Sequence, residues 1–437
     1  MGGKLVNAQL QSSIGPARTV LLIAYHFPPL RGSSGLQRTL RFAQHLPKFG
    51  WRPIVLSIDP RAYEESAQIA GNEVPADLTV HRAFGFNTAT QLSLFGRYPK
   101  VLALPDRWST WRLWAVPKAL RIIRSEGVSA IWSTFPVATA HRIGLDIAER
   151  TGLPWIAEFR DPMWQHDWPP EPTANRVWKA LETRIFERAD WTVFTAPSAI
   201  DLYRERFPHL PAERRVLIEN GFDEETFRRA AQSAPAEVLA PPTAPRPVTL
   251  LHSGIIYRSE RDPTQFFAAV SALKGRGRID AQRLQIILRA SGDESDYSRE
   301  LQRLGIADIV KLESGIDYMS ALREMLSVDG LLLLQASNCN AQVPAKLYEY
   351  LRAQRPILAL TDPAGDTART LESAGAGLIA RLDNQAEIEA ALSRFLDQIA
   401  AGDARCPSPQ TIARYTREAK SCELAKLLDQ ALQSRPK

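Results

Sequence analysis

Short apolar runs alternate with amphipathic stretches along most of the chain, a pattern typical of parallel strands joined by helices. In the first half, residues 36–50 have leucine and alanine at helical spacing and end at a glycine. The tail over 407–432 has helical spacing as well. The strands predicted in the first half are 19–24, 53–58, 129–134, 154–162, 191–196 and 215–218, and the fourth of these runs into a charged turn.

A second series of strands and helices follows a segment rich in proline and alanine, residues 236–247. Asp262 and Pro263 open an apolar helix that continues to Leu273. The strands predicted in this series are 248–253, 284–288, 309–312, 330–334 and 357–360. Two such series joined by a linker predict an α/β protein with two Rossmann-like, doubly wound lobes and a cleft between them.

The same pattern sets the expected domain boundaries. We expect a first lobe over 1–235, the linker over 236–247 and a second lobe over 248–406. Residues 407–437 are expected to form a C-terminal helix that packs back on the first lobe. Doubly wound sheets bind ligands beyond the carboxyl ends of their strands, so those ends are where candidate site residues are expected.

The composition is that of a folded protein with anionic partners. Hydrophobic residues make up 45% of the 437 residues, the net charge is +6 and the pI is about 9.2. The three cysteines, Cys339, Cys406 and Cys422, show no paired or metal-ligand spacing, which favours a reducing compartment. The start lacks the apolar core of a signal peptide, and no run of about 18 apolar residues is present. We therefore expect a cytoplasmic protein.

Residues 335–360 carry the most informative chemistry. A polar loop meets Pro344, where a short helix is predicted to begin, and Lys346 and Glu349 share one face of that helix. The free N–H groups of such a turn attract phosphate, and a nearby lysine adds a positive charge. A carboxylate one turn further on suits sugar hydroxyls. The pattern indicates one half of a nucleotide-sugar pocket, and the alternative is an amphipathic helix with a solvated lysine and glutamate.

Three features of the first lobe offer further candidates. The loop after the first strand contains Gly32 and Gly35, which permit close approach of the backbone to a ligand, although a purely structural turn is the alternative. Glu158 and Asp161 flank an arginine at the end of another strand. They can act as a base and a binding group, or take part in a structural ion pair. His141 is a weaker candidate, because a lone helical histidine is more often structural than catalytic.

Residues 107–124 mix three tryptophans with five basic residues. Tryptophan with arginine and lysine suits an interface that carries anionic lipid headgroups. The alternative is a core-packing helix whose basic side chains reach out to the surface. Nucleic acid is not expected as a partner, since the rest of the chain shows no matching motif. The residues expected to contact an anionic membrane are Trp108, Trp111, Trp114, Arg112, Lys118 and Arg121.

Five motifs in order span nearly the whole chain. They are residues 27–38, 105–107 with Trp111, 159–162, 219–223 and 343–350. On these motifs the chain resembles the retaining glycosyltransferases of family 4, which have the GT-B fold. It is most similar to bacterial sugar transferases of polysaccharide assembly.

The resemblance implies a hexosyltransferase-type enzyme that moves a sugar from a nucleotide-diphosphate donor to an acceptor, with retention. The acceptor implied is a polysaccharide or a lipid-linked glycan precursor, bound by the first lobe, while the second lobe binds the nucleotide-sugar. Asp161 is the first candidate for a catalytic residue, followed by Glu158 and His141. Glu349 would bind the ribose hydroxyls. The backbones of Gly32, Ser34 and Gly35 are implied near the donor phosphates or the acceptor. The residues implied near the donor phosphates in the second lobe are Gly254, Arg261 with Arg258 as its rival, and Lys346.

One position departs from the family pattern. A glutamate that contacts the donor sugar in the family falls at position 341, where this chain has Ala341. Asn340 and Gln342 are expected to supply neutral hydrogen bonds to the sugar instead. No Asp-x-Asp triplet is present, so we expect no metal and no other cofactor.

Two other functions remain open from the sequence. A nucleotide-sugar 2-epimerase would share the two-lobed fold, and a non-catalytic scaffold would account for Ala341. For a transferase with a lipid-linked acceptor, we expect a location at the inner face of the cytoplasmic membrane.

Overall fold

The computed structural model describes residues 18–30, 34–63, 74–93, 95, 97–98, 100–233 and 246–434. Contacts divide the chain into two units. The first unit is Met1–Glu219 together with Arg417–Lys437, and the second unit is Asn220–Thr416. None of the helices in the described ranges combines the length and apolar character needed to cross a membrane.

The first unit is built on a parallel sheet whose seven described strands have the order β3-β2-β1-β4-β5-β6-β7. The strands are β1 (Arg18–Ile23), β2 (Trp51–Ile58), β3 (Thr79–Ala83), β4 (Val128–Thr134), β5 (Trp155–Phe159), β6 (Trp191–Phe194) and β7 (Arg215–Leu217). The helices of this part of the chain are α1 (Ser34–His45), α2 (Thr88–Gln91), α3 (Trp111–Glu126), α4 (Ala138–Thr151), α5 (Pro172–Arg188) and α6 (Pro197–Arg206).

Alternate residues of these strands fill cores on the two faces of the sheet, because successive side chains of a strand point to opposite sides. Leu21, Ile54 and Ile131 belong to the core that includes residues of α3, α4 and α5. Val20 and Trp132 belong to the core on the other face, which includes residues of α1. Helices therefore cover both faces and leave the strand ends free to carry a site.

The second unit has a parallel sheet whose six described strands have the order β10-β9-β8-β11-β12-β13. The strands are β8 (Val248–Ser253), β9 (Leu284–Arg289), β10 (Val310–Glu313), β11 (Gly330–Leu334), β12 (Ile357–Leu360) and β13 (Leu378–Ala380). The helices are α7 (Glu224–Gln232), α8 (Arg258–Arg261), α9 (Thr264–Gly275), α10 (Glu294–Arg303), α11 (Tyr318–Ser327), α12 (Ala345–Ala353), α13 (Asp366–Ser373), α14 (Gln385–Ala401) and α15 (Pro409–Ala413). The strand order reverses between β8 and β11, so a ligand is expected at the carboxyl ends of those two strands.

The two predicted Rossmann-like lobes are confirmed, and every predicted strand is present. Strands β3 and β13 are additional. Most residues of β3 are only half-buried, and the apolar run of β13 has only three residues, so neither strand stands out in the sequence. The helical tail is interrupted at 414–416, which separates α15 from α16 (Arg417–Gln433). Residues 236–245 of the predicted linker lie outside the described residues.

The chain enters the second unit at Asn220 and leaves it at Thr416, whereas the sequence placed the second lobe over 248–406, after a linker over 236–247. The entering and leaving segments lie side by side. The Phe222 N–H donates to the Tyr415 carbonyl oxygen at 3.0 Å, and a Cβ built on Gly221 would lie 2.3 Å from that oxygen. Only a glycine allows the two backbones to come this close.

The C-terminal helix α16 completes the first unit. Leu424 and Leu428 are fully buried in the core that contains Val20. The Asp429 carboxylate accepts a hydrogen bond from the Trp51 indole at 2.9 Å, so the end of the helix is held at the start of β2.

Candidate functional site

The residue that follows β8 requires glycine. Gly254 has a φ of +106°, which residues with a side chain rarely adopt, and a Cβ built on it would lie 3.2 Å from Nζ of Lys346. The backbone thus leaves room for the lysine ammonium at the carboxyl end of β8. This is the position where doubly wound sheets bind their ligands.

Lys346 lies in the first turn of α12, which begins directly after Pro344 as the sequence predicted. Burial, followed by the positive charge of Arg261, lowers the pKa of Lys346 from 10.5 to about 7, although the Glu349 carboxylate opposes this shift. The lysine is therefore poised to gain its full positive charge when an anion binds beside it.

His252, in β8, contacts the ammonium group of Lys346. Its Nδ1 lies 3.0 Å from the Leu332 carbonyl oxygen, and its Nε2 lies 3.3 Å from Nζ of Lys346. Burial, and after it the charge of Lys346, keeps the pKa of His252 well below its usual value, so the ring is neutral. A carbonyl only accepts, so Nδ1 carries the proton and Nε2 accepts from the lysine. This contact was not predicted, because a single histidine in an apolar strand has the pattern of a core residue.

The structure separates the two arginines that the sequence left as rivals. Arg261, at the end of α8, donates to the Ile255 carbonyl oxygen at 2.7 Å, and its charge lowers the pKa of Lys346. Arg258 instead pairs with Glu300 at 3.3 Å and lies over the ring of Tyr297. Arg261 therefore belongs to the cluster around the lysine, and Arg258 is directed toward α10.

Glu349 lies one turn after Lys346 on α12. Its Oε1 accepts a hydrogen bond from the Tyr318 hydroxyl at 2.8 Å. Tyr318 opens α11 and was not singled out from the sequence. The carboxylate is thus held in place at the edge of the cluster, where it remains an acceptor for hydroxyl groups.

The two candidates for the donor sugar have different environments. Asn340 donates from Nδ2 to Asp362 at 2.6 Å, and its backbone carbonyl oxygen accepts from the Asp366 N–H at 2.9 Å. Gln342 has an exposed side chain, while its backbone carbonyl oxygen accepts from the side-chain amide of Gln335 at 2.9 Å. Asn340 therefore ties the loop after β11 to the loop after β12, and Gln342 has the more accessible amide.

Glu158 is fully buried in the first unit, inside an ion pair. Nε of Arg38 lies 3.0 Å from one carboxylate oxygen, and the Thr134 hydroxyl donates to the other at 3.1 Å. The remaining guanidinium nitrogens of Arg38 donate to the carbonyl oxygens of Ile218 and Glu219, each at 2.7 Å. This is the structural ion pair that the sequence left open as an alternative.

Asp161 and Gly35 lie beside Arg160, at the carboxyl end of β5 and the start of α1. A Cβ built on Gly35 would lie 2.0 Å from a terminal nitrogen of Arg160, so glycine makes room for the guanidinium. Burial lowers the pKa of Arg160, and the nearby Asp161 carboxylate opposes that shift. A guanidinium at a helix N-terminus favours an anion. Ser34 begins α1, and Gly32 lies outside the described residues.

His141 is fully buried in the core of the first unit. Its Nδ1 lies 2.8 Å from the Ser133 hydroxyl, and its ring lies 4.7 Å from that of Phe159. Burial lowers its pKa to about 3. The side chain has the environment of a core residue, which was the alternative given above.

The predicted membrane residues are only partly at the surface. Trp111 is fully buried, and the Trp108 indole donates to the Ala62 carbonyl oxygen at 3.1 Å. Arg112 pairs with Asp146, and Lys118 donates to the carbonyl oxygen of Arg82. Trp114 and Arg121 are the exposed members of the predicted set. Trp111 and Trp114 are three positions apart and lie on neighbouring parts of the helix surface, so helical period alone does not separate the buried tryptophan from the exposed one.

Comparison with known proteins identifies a domain family for part of the chain and a common fold for nearly all of it. Residues 35–221 match the family model described as the glycosyl transferase 4-like domain. No curated protein matches the chain by sequence. Residues 35–221 are therefore similar to this glycosyltransferase domain family, which supports glycosyl transfer as the general activity, and the chain has the GT-B fold.

Solved structures share the fold over nearly the whole chain. Sucrose-phosphate synthase from Thermosynechococcus elongatus is 16% identical, with a TM-score of 0.64 over 96% of this chain and 100% of that one. Anabaena HepE in complex with UDP and glucose is 14% identical, with a TM-score of 0.57 over 94% and 100%. UDP-GlcNAc 2-epimerase from Methanocaldococcus jannaschii is 10% identical, with a TM-score of 0.53 over 94% and 99%. These likenesses concern the fold alone.

Proposed function

We propose that this protein transfers a hexose from a nucleotide-diphosphate donor, and that the cluster at the end of β8 binds the donor. The observation that carries the proposal is the pairing of Lys346 with neutral His252 beside Arg261, one helical turn from Glu349. Negative charge develops on the diphosphate as it leaves. Two fixed cations at that position stabilise the leaving group, and such electrostatic contributions are commonly large.

The donor and the cofactor requirement extend this proposal. HepE was solved with UDP and glucose, so uridine donors are the first to test. Glu349 binds the ribose hydroxyls, and the amides of Asn340 and Gln342 are the proposed contacts to the sugar. In the described residues no group of three or more histidine, cysteine, aspartate or glutamate side chains could hold a metal ion. We expect turnover to continue in the presence of a chelator.

The acceptor side is assigned to the first unit. We place Asp161, with Arg160 and Gly35 beside it, next to the acceptor. The acceptor proposed is a polysaccharide or lipid-linked glycan precursor, met at the inner face of the cytoplasmic membrane. Transfer proceeds with retention if the acceptor attacks from the side on which the nucleotide leaves, and such a reaction needs no protein nucleophile.

Ligand-induced stabilisation tests the donor site. A ligand that binds only the folded state raises the melting temperature. All ten tryptophans lie in the first unit, so the melting curve is followed by circular dichroism and not by tryptophan fluorescence. We expect UDP-, GDP- or dTDP-sugars to raise the melting temperature at millimolar concentration. If none of them does, the donor site is not where we place it.

An epimerase shares the fold, so the reaction itself must be distinguished from epimerisation. Incubation of the protein with a nucleotide-sugar and no acceptor separates the two. A transferase leaves the donor unchanged or slowly releases nucleotide, whereas a 2-epimerase converts the donor to a second nucleotide-sugar without releasing nucleotide. Chromatography of the nucleotide products measures both outcomes.

A further inference from the structure

The first unit contains an open groove of about 430 Å³ that the proposed reaction does not use. It lies between the segment before α3 and the helices α3, α4 and α5. Apolar side chains make up most of its lining, and the polar remainder includes arginines. The apolar residues that matter below are Val101, Leu102, Leu104, Leu113, Val177 and Leu181.

Apolar side chains continue from this groove onto the surface. Val101 is 72% exposed and Leu113 is 62% exposed, although both also line the groove. Trp114, the residue after Leu113, is 41% exposed and packs edge-on against Phe84 at 4.8 Å. Contiguous exposed apolar surface in a soluble domain marks a contact with a partner or a membrane.

The charge around the groove is positive. Arg112, Arg142 and Arg184 line it, and they face two carboxylates, those of Asp146 and Glu149. One positive charge therefore remains uncompensated within this group.

The surrounding sequence has the same bias. Residues 95–125 contain seven basic residues and a single acidic one, Asp106. Asp106 contributes little to the charge of the surface, because its carboxylate is engaged with Thr139. It accepts from the backbone N–H of Thr139 at 2.7 Å and from the Thr139 hydroxyl at 2.8 Å. Burial raises the pKa of Asp106.

We propose that this basic apolar groove receives a hydrocarbon chain of an anionic bilayer lipid, and that the apolar surface around it docks the protein on the membrane. Leu113 and Val101 enter the acyl region, Trp114 lies at the interface, and the arginines reach the headgroups. A positively charged rim around an apolar centre fits an anionic bilayer. The inference deepens the proposed location of the transferase at a membrane, and it places the contact mainly on residues other than those expected from the sequence.

Vesicle binding tests the groove directly. The full-length protein is mixed with vesicles of phosphatidylcholine alone, or of phosphatidylcholine with phosphatidylglycerol, and the bound fraction is measured by flotation. We expect binding to the anionic vesicles and a loss of roughly tenfold or more in affinity for Leu113→Asp, since a carboxylate then replaces an inserted leucine. Arg299→Gln changes the net charge by the same single unit on an exposed part of α10, and it is expected to bind as the unaltered protein does.

A second readout reports insertion. Acyl chains brominated close to the headgroup quench a tryptophan that lies at the interface, and we expect quenching that is lost in Trp114→Phe. Both variants change exposed side chains, so their melting temperatures should be unchanged. Binding that is absent, or equal for both vesicle types and unaffected by Leu113→Asp, overturns the proposal. So does a dimer that Leu113→Asp converts to a monomer, because a second copy then occupies the groove.

The test of the lipid-binding groove can fail or succeed independently of the test of the donor site. Nucleotide-sugar binding is measured on the same preparations, and Leu113→Asp is expected to leave it unchanged because Leu113 lies in the first unit. Vesicle binding without nucleotide-sugar binding would support the lipid-binding groove and contradict the proposed function. Nucleotide-sugar binding without vesicle binding would support the proposed function and contradict the lipid-binding groove.

Discussion

Nε2 of His252 lies 3.3 Å from Nζ of Lys346 and accepts a hydrogen bond from it. The opposite ring nitrogen donates to the Leu332 carbonyl oxygen in β11. A neutral imidazole thus links the strand at the centre of the second sheet to the cation proposed to hold the donor. The histidine acts through the lysine, so it is a positioning residue.

Two variants of His252 separate its two hydrogen bonds. The amide of His252→Asn can replace Nδ1 as the donor to Leu332 but offers nothing to Lys346. His252→Gln can bring an amide oxygen close to the position of Nε2. We expect Asn to weaken nucleotide-sugar binding by roughly tenfold, about 1.4 kcal/mol, and Gln to retain most of it. Isothermal titration calorimetry measures both, and equal losses would mean that the histidine serves only the core.

Donor affinity should depend on pH through Lys346. An anion binds the protonated lysine, and the free protein loses that proton as the pH rises through about 7. Affinity is therefore expected to be constant below pH 7 and to fall by up to about tenfold per pH unit above it. Lys346→Met keeps the length of the side chain without its charge, so it should bind weakly at every pH. A pH-independent affinity in the unaltered protein would contradict the role of this lysine.

Arg261 and Arg258 offer a matched pair, because they begin and end the same short helix. Arg261→Ala should cost about 1.5–3 kcal/mol of nucleotide-sugar binding, the usual value of a hydrogen bond to a charged group. Arg258→Ala removes an arginine that pairs with Glu300, and we expect donor affinity close to that of the unaltered protein. The reverse ranking, measured by calorimetry, would return Arg258 to the site.

Glu158 should affect stability more than catalysis. Glu158→Ala leaves the buried Arg38 without its ion-pair partner, which costs about 3–5 kcal/mol in other proteins. Asp201→Ala breaks an exposed pair with Arg204 and should cost no more than about 1 kcal/mol. Urea unfolding followed by tryptophan fluorescence reports on the first unit, where all ten tryptophans lie. A stable but inactive Glu158→Ala protein would show that the carboxylate has a direct role.

The fold was predictable because the buried parallel strands give apolar runs that local sequence reveals. The helix with Lys346 and Glu349 was found in the same way, since a proline at the start and two charged residues three positions apart are local signals. Strand β3 was missed because its residues are half-buried and include charged side chains. Local sequence pattern thus identifies strands that are fully buried and helices that bury one face.

The contacts of the site were less predictable, because they join distant parts of the sequence. His252 and Lys346 are 94 positions apart, and neither position suggests the other. Glu158 and Arg38 are 120 positions apart, so the sequence could not choose between an ion pair and a catalytic acid. The positive φ of Gly254, which opens space for the lysine, is likewise a property of the folded backbone.

The paired crossing of the chain at Gly221 and Tyr415 has a consequence for the evolution of such proteins. A domain whose two ends meet can be inserted into another, or removed from it, at one place on the surface. Residues 220–416 therefore have the topology of a cassette carried between β7 and α16. Recombination at those two junctions would exchange the second unit of one relative for that of another while keeping the first sheet and the C-terminal helix on one continuous scaffold.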